Sequence, residues 1–255
     1  MRILLLLAVI FSLVGCKGGQ KKEEWIQLFN GEDLTGWTVK IRGYPAGENY
    51  GNTFRVENGV MKVVYDPDFY ESFDNRFGHI YTTETFSSYK LRVEYRFVGE
   101  QIAGGPGWAT RNSGAMLHSQ SPESMHIDQD FPASIEAQFL GGDGRRERTT
   151  GNVCTPGTDI HINGEFYPGH CANSTSKTYH GEQWVMMEII VLADSIVHHI
   201  IEDEIVLTYT KLNRNGRGLS NEVNLPLGPL KSGHIALQSE SHPVEFRKVE
   251  LLRLD

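Results

Sequence analysis

Hydrophobic and polar residues alternate with a period of two in several segments of the chain. In residues 89–97, apolar side chains alternate with lysine, arginine and glutamate. Because successive side chains of a strand point to opposite faces, this pattern predicts a strand with one buried face and one face in water. Residues 54–63 form two such runs around Asn58-Gly59, a pair that favours the positive φ angles of a tight hairpin. Residues 28–37 mix apolar residues with turn formers and predict an edge strand and a hairpin turn.

The rest of the chain carries more short segments of this kind and no long amphipathic helical pattern. Residues 184–192 are less polar throughout, which predicts a strand near the centre of a sheet. Other predicted strands cover residues 79–83, 196–201, 205–209, 234–239 and 244–254. Many strands separated by turn signals are typical of a β-sandwich. The sequence therefore predicts an all-β jelly-roll sandwich of two antiparallel sheets, formed as a single domain by residues 25–255.

One predicted strand, residues 134–139, carries a polar row opposite its apolar row. Its two faces present Ile135, Ala137 and Phe139 on one side and Ser134, Glu136 and Gln138 on the other. The first row suits a core. The second is either an ordinary solvated face or a functional site.

Two other predicted strands, residues 112–118 and 234–239, place polar groups opposite an apolar row in the same way. Ala115 and Leu117 suit the core, and Gly114 opposite them would leave room for a ligand to approach the backbone. The predicted polar face holds Asn112, His118, Glu136, Gln138 and Gln238, rimmed by Arg111, Glu240 and His242. Polar groups with nearby aromatic rings are what sugar recognition requires, because hydroxyls need hydrogen-bond partners and C–H faces need rings. The face therefore predicts a carbohydrate site.

The N-terminal residues have the pattern of an export signal. Met1-Arg2 precedes an apolar run over residues 3–14, which is too short for a permanent membrane span. The ending, residues 13–16 (LVGC), resembles a bacterial lipobox and implies cleavage before Cys16 and lipid attachment to its thiol. Residues 1–16 are thus predicted as a lipoprotein signal peptide and 17–24 as a flexible tether. This places the protein in the cell envelope, on the periplasmic or surface side; the alternative is an ordinary signal peptide with a chance cysteine.

Two further cysteines predict a covalent cross-link, and the net charge limits the possible partners. In an exported protein, Cys154 and Cys171 predict a disulfide, closing a loop of roughly 16 residues worth on the order of 3 kcal/mol. A zinc site with His161 and His170 is the alternative, although it lacks the usual paired spacing. The net charge of −8 and the lack of a basic stripe argue against nucleic acid as a partner.

Four segments together resemble one family of exported bacterial proteins. They are residues 28–37 (LFNGEDLTGW), 112–114 (NSG), 136–138 (EAQ) and 237–249 (LQSESHPVEFRKV). The family, long called DUF1080, is described as 3-keto-glycoside lyase/hydratase or 3-keto-disaccharide hydrolase domains with a concanavalin-like jelly-roll fold. The resemblance runs from about residue 28 to the C-terminus. The chain departs from shorter members in the insertion that carries Cys154 and Cys171 and in residues 65–77, which leaves the choice of substrate open.

The resemblance implies cleavage of the glycosidic bond of a sugar already oxidised at C3. The C3 carbonyl acidifies the C2 proton, so a base can form an enolate that expels the C1 substituent, and water can then add to the resulting glucal. Glu136 or His118 is the expected base. Arg111, His242 or a bound divalent metal would hold the enolate oxygen. No other cofactor is implied.

Two other interpretations remain open from the sequence. Conventional glycoside hydrolysis needs two carboxyl groups, for which Glu136 and Glu240 are the available pair. A sugar-binding module without catalysis would use the same fold, because the fold alone does not decide function.

Overall fold

The computed structural model describes residues 24–219 and 225–254. The predicted signal peptide, Cys16 and the tether up to residue 23 lie outside the described residues. Within them no helix is long and apolar enough to cross a membrane.

Almost all regular structure in the described residues is β-strand. The strands are β1 (Ile26–Gln27), β2 (Trp37–Ile41), β3 (Phe54–Glu57), β4 (Val60–Val63), β5 (Gly78–Thr82), β6 (Ser88–Phe97), β7 (Asn112–Ser119), β8 (Ile135–Leu140), β9 (Asn152–Cys154), β10 (Thr158–Ile162), β11 (Glu165–Phe166), β12 (Cys171–Ala172), β13 (Val185–Leu192), β14 (Ile196–Ile201), β15 (Glu204–Arg214), β16 (Gly228–Pro229), β17 (His234–Ser239) and β18 (Val244–Arg253). Three short 3-10 helices lie at Tyr50–Asn52, Gly107–Ala109 and Pro122–Ser124.

These strands form two antiparallel sheets. The larger runs β11-β10-β15-β14-β13-β6-β18-β4-β3, with β1 added beside β18 and β16 beside β15. The smaller runs β12-β9-β8-β7-β17-β5-β2. The apolar rows of both sheets meet in one hydrophobic core. The predicted all-β jelly-roll sandwich is confirmed.

Several strand predictions are confirmed in detail. The alternation of β6 is complete, with every second side chain buried. Strand β13 pairs with β6 on one side and β14 on the other, so it lies near the middle of the larger sheet as predicted. Asn58 and Gly59 have φ angles of 55° and 77° and form the predicted tight turn between β3 and β4.

The prediction that residues 28–37 form a hairpin turn is wrong. Strand β1 pairs with β18 in the larger sheet, whereas β2 pairs with β5 in the smaller one. The turn formers between them carry the chain from one sheet to the other. The Asn30 side chain accepts hydrogen bonds from the backbone N–H groups of Glu32 and Asp33 and so fixes this turn. Turn chemistry marks a change of direction but does not show which sheet the next strand joins.

The core fixes which way β8 presents its polar row. The Phe139 ring stacks on the ring of Tyr95 from the other sheet, with centroids 4.3 Å apart. Ile135 and Ala137 belong to the same core. Because side chains alternate along a strand, Glu136 and Gln138 project from the face of the smaller sheet that is turned away from the core. We call this the site face.

Candidate functional site

Strand register brings the polar residues of the site face together. Glu136 pairs with Met116 of β7 and with Cys154 of β9. Gln138 pairs with Gly114 on one side and Asn152 on the other. The predicted strand faces of Glu136 and Gln138 are therefore confirmed.

A cavity of about 370 Å³ opens on the site face. Four residues predicted from the sequence line it: Asn112, Glu136, Gln138 and Glu240. Its other walls are Trp108, Phe131, Pro156, His170 and the disulfide Cys154–Cys171. The cavity thus combines two carboxyl groups and two amides with aromatic and sulfur surface, a composition suited to one polar ligand with an apolar side.

Both carboxyl groups of the cavity are buried. Glu136 is 7% exposed and Glu240 is 2% exposed. Burial raises the pKa of Glu136 to about 8. Burial also raises the pKa of Glu240 well above its usual value, and the nearby Glu136 carboxyl raises it further, against the opposing charge of Arg148. The two carboxyls are therefore coupled, and ionisation of Glu136 disfavours ionisation of Glu240, so the pair tends to hold one shared proton.

Gly114 makes room for the carboxyl of Glu136. A Cβ added at Gly114 would lie 2.8 Å from both Cγ and Oε1 of Glu136. The sequence suggests that this glycine admits a ligand to the backbone. The space is instead filled by the Glu136 side chain, which lies over β7.

A strained turn holds Glu240 and His242. Between them, Ser241 has a φ of 80°, a backbone conformation that residues other than glycine rarely adopt. Its backbone N–H donates to the Tyr65 hydroxyl at 2.6 Å, and the Gln101 amide donates to its Oγ at 2.8 Å. Such strain is common at functional sites, where surrounding contacts maintain it.

Amide side chains form the polar floor of the cavity. The Gln138 amide donates to Asn112 Oδ1 at 3.2 Å, and the Asn152 amide donates to Gln138 Oε1 at 3.3 Å. The described residues provide no hydrogen-bond acceptor for the Asn112 side-chain N–H groups, and Asn112 lines the cavity. Gln238 is fully buried on the same face, and neither atom of its side-chain amide has a hydrogen-bond partner in the described residues. A buried amide without hydrogen-bond partners destabilises the folded state unless a ligand or water supplies the missing hydrogen bonds.

Arg111 and His242 lie beside the cavity rather than in it. They line a neighbouring groove of about 600 Å³, which we call the Arg111 groove. Its polar lining residues are Glu100, Thr110, Arg111, Asp143, Arg145 and His242, and its other lining residues are glycines. The sequence predicts both residues at the rim of one site, whereas the structure assigns them to an adjoining compartment.

His118 does not reach the site face, so the prediction that it shares the polar face with Glu136 is wrong. Ser119 pairs with His234 and Met116 with Ala236, so two residues of β7 lie opposite one residue of β17 in a β-bulge. His118 has a φ of 48° in this bulge. Its ring packs on the core residue Tyr89, and its two nitrogens bond to the carbonyls of Leu230 and Ser87. The bulge breaks the alternation on which the prediction relies.

Two residues important to the site were not found from the sequence. Trp108 is 54% exposed at the cavity wall and stacks on Phe77 with centroids 5.9 Å apart. Arg148 donates to the carbonyls of Thr110, Arg111, Gly141 and Trp108. It therefore ties the loop that carries Trp108 to the loop that follows β8. Only the isolated tryptophan in the glycine-rich residues 104–108 could have signalled this wall.

The predicted disulfide is present. Cys154 and Cys171 are bonded and are also cross-strand partners in β9 and β12. Their sulfurs are therefore not free for the alternative zinc site. Among residues 24–219 and 225–254, no group of three or more His, Cys, Asp or Glu side chains is placed to hold a metal ion.

Comparisons with known proteins agree with this architecture. Two crystal structures of candidate glycosyl hydrolases from Parabacteroides distasonis ATCC 8503 share the fold. One is 18% identical with a TM-score of 0.50, covering 91% of this chain and 94% of that chain. The other is 15% identical with a TM-score of 0.51, covering 91% of this chain and 100% of that chain. No protein of curated function matches the chain.

A family model matches nearly the whole described chain. It is the model of the 3-keto-alpha-glucoside-1,2-lyase-like domain, and it matches residues 24–252. The match covers both sheets and the site face. The chain therefore belongs to the family of 3-keto-alpha-glucoside-1,2-lyase-like domains.

Proposed function

We propose that this protein cleaves the glycosidic bond of a 3-keto-glycoside by elimination and then hydrates the product. Glu136 is the base and Glu240 the acid. The observation that carries the proposal is that these two buried carboxyls line one cavity, where ionisation of one disfavours ionisation of the other. An elimination needs one group to take a proton and another to supply one, and this pair meets that need.

In the elimination, the Glu136 carboxylate takes the proton from C2. The C–H electrons move toward the C3 carbonyl, forming an enolate. The enolate then collapses to a C1=C2 double bond, and the C1–O bond breaks. Protonated Glu240 gives its proton to the departing oxygen. The products are a 3-keto-2-hydroxy-glucal and the free alcohol, with Glu136 now protonated and Glu240 ionised.

Hydration returns both protons to their starting positions. The Glu240 carboxylate takes a proton from water as the hydroxide adds to C1. Protonated Glu136 gives its proton back to C2. The net result is hydrolysis of the glycosidic bond, and each carboxyl is ready for the next cycle.

Amide groups are suited to hold the enolate oxygen. The free N–H groups of Asn112 and the unpartnered, buried amide of Gln238 are donors on the site face. Donors that already point at the position where charge develops stabilise an oxyanion without reorganising. Arg111 and His242, the donors expected from the sequence, line the neighbouring groove instead. The described residues do not offer a fitting donor set for a divalent metal, so no step is assigned to one.

The wall of Trp108 and Phe131 is suited to the apolar face of a sugar ring. Trp108 is half exposed and backed by Phe77, so its outer face is available for stacking. Aromatic rings pack well against the C–H face of a pyranose while polar groups pair with the hydroxyls. This division of the cavity supports a carbohydrate substrate.

Incubation with a 3-keto-disaccharide and with its unoxidised parent tests the proposal. The protein should cleave the keto sugar and leave the parent intact, because only the ketone acidifies the C2 proton. Cleavage of both sugars at similar rates would favour conventional hydrolysis by Glu136 and Glu240. Binding of either sugar without cleavage would favour a binding module.

We also propose that Cys16 carries a lipid that anchors the protein in the cell envelope. The support is the sequence of residues 3–16, an apolar run that ends in a lipobox-like cysteine. A lipid anchor and short tether would keep the enzyme where extracellular glycosides arrive.

A further inference from the structure

The Arg111 groove and the cavity are lined by neighbouring residues of the chain. Glu240 lines the cavity, and His242, two residues later, lines the groove. In the proposed reaction Glu240 protonates the departing oxygen, so the leaving group extends from Glu240. Arg111, which lines the groove, also directly precedes Asn112, which lines the cavity, so the groove is the space that neighbours the cavity along two chain segments. Its assignment to the leaving group therefore rests on the proposed function.

Two arginines that line this groove, and a third that donates to the backbone of its wall, have no carboxylate partner among the described residues. Arg111, Arg145 and Arg148 form no ion pair within the described residues, although the whole chain has a net charge of −8. Arg111 donates to the carbonyl of Gly181 at 2.8 Å, and Arg148 donates only to carbonyls. Carbonyl partners satisfy N–H groups without neutralising the positive charge, although Arg148 also interacts electrostatically with Glu240 and Asp143.

The pKa of His242 is sensitive to these arginine charges. This residue is 1% exposed, and both ring nitrogens lack hydrogen-bond partners in the described residues. Burial lowers its pKa to about 4, and the charges of Arg111 and Arg148 act in the same direction. The imidazole is therefore neutral at neutral pH, with one N–H donor and one acceptor available to a ligand.

The acidic residues of the groove do not cancel these charges. Asp143 accepts hydrogen bonds from the backbone N–H groups of Arg145 and Arg146 and pairs with the Arg146 side chain at 3.6 Å. Its charge acts on Arg146 and Arg148, and its side chain forms no ion pair with Arg111 or Arg145 in the described residues. Glu100 is exposed at the solvent side of the groove.

We infer that the Arg111 groove receives the leaving group and selects one that carries an oxyanion, such as the carboxylate of a uronic acid or a phosphate ester. Arginine binds both anions well, because its planar fork of N–H donors matches their oxygens. Apart from the His242 imidazole, the described residues that line the groove offer no aromatic or aliphatic side chain, so an apolar aryl leaving group gains little there.

Binding of the isolated leaving group tests this without any turnover. Glucuronate, glucose 6-phosphate and glucose would be titrated into the wild-type protein by calorimetry. At least one anion should bind about tenfold or more tightly than glucose, since hydrogen bonds to charged groups are the stronger ones. Comparison of the two anions shows whether carboxylate or phosphate is preferred. Equal affinity for all three sugars would overturn the inference.

Variants locate the binding in the groove. Arg111→Gln and Arg145→Gln should each reduce the anion preference several-fold, whereas Arg146→Gln, whose side chain already pairs with Asp143, should retain it. Unchanged anion binding in both Arg111→Gln and Arg145→Gln would also overturn the inference. Anion binding without cleavage of any 3-keto-glycoside would refute the proposed function alone. Cleavage of 3-keto-glycosides with no anion preference would refute this inference alone.

Discussion

The carboxyl of Glu136 lies against the backbone of Gly114, so closely that a Cβ at position 114 would come within 2.8 Å of Glu136 Oε1. Gly114→Ala should therefore displace the carboxyl while leaving the rest of β7 in place. A displacement of about 1 Å at a reacting group can cost roughly 100-fold in rate. We expect turnover of a 3-keto-glycoside to fall by roughly 10- to 100-fold, measured as kcat/KM.

A matched control separates this effect from general damage to the sheet. Ala115→Gly, at the next position of β7, alters the core face and leaves the Glu136 pocket untouched. It should lower the free energy of unfolding with a smaller loss of kcat/KM. Equal activity of Gly114→Ala and wild type would show that the position of the carboxyl is not critical.

The raised pKa of Glu136 makes the folded state less stable as pH rises. Its pKa is about 8 in the folded protein against 4.5 for the free group, so the folded state binds the proton more tightly. Tighter binding of this proton adds to the free energy of unfolding. This contribution is fully present below pH 4.5 and is lost as pH rises towards 8. Glu136→Gln should remove a slope of about 1.4 kcal/mol per pH unit across this window.

Urea unfolding at pH 5, 7 and 8.5 measures this slope. The difference between Glu136→Gln and wild type should shift in favour of the variant as pH rises. Glu165→Gln, an exposed carboxylate on β11, should follow the wild type. If the free energy of unfolding depends on pH in the same way in wild type and Glu136→Gln, then Glu136 does not bind its proton more tightly in the folded state.

Arg148 should act on the site in two separable ways. Its charge lowers the pKa of Glu240, and its hydrogen bonds hold the loop of Trp108. Arg148→Lys keeps the charge but loses the planar fork, whereas Arg148→Gln loses both. Both variants should weaken substrate binding, and only Arg148→Gln should move the alkaline limb of the rate profile to higher pH. Identical pH profiles for the two variants would contradict the charge effect on Glu240.

The lipid anchor predicts where the protein is found after cell fractionation. Cys16→Ala should leave the membrane fraction or remain unprocessed, because its thiol is the proposed attachment point. The matched variant Cys154→Ser lacks the disulfide but keeps the anchor cysteine, so it should stay in the membrane fraction. Normal membrane recovery of Cys16→Ala would exclude attachment at this residue.

Much of this molecule could be predicted because the period of two is strong where a strand is regular. The apolar row Ile135, Ala137 and Phe139 enters the core as the sequence indicates, so Glu136 and Gln138 reach the site face. The pairing of Cys154 with Cys171 followed from the count of cysteines in an exported chain. These features depend on local pattern or simple counting.

The errors occur where a single irregularity changes the outcome. One β-bulge turned His118 toward the core, and no sequence signal marks the extra residue. The separation of His242 from the cavity depends on the Ser241 turn, which is held by the distant Tyr65. Arg148 was not found from the sequence, because its carbonyl partners become its neighbours only through tertiary structure. Non-local packing determines such features.

The rate of 3-keto-glycoside cleavage by Glu136→Gln tests whether Glu136 is the base of the reaction. The substitution keeps the shape of the side chain and removes the base. We expect the rate to fall by roughly 100-fold or more, the usual scale for loss of a general base, with substrate affinity largely retained. The Glu165→Gln control should cleave at the wild-type rate. Near wild-type turnover by Glu136→Gln would contradict the assignment of Glu136 as the base that takes the C2 proton.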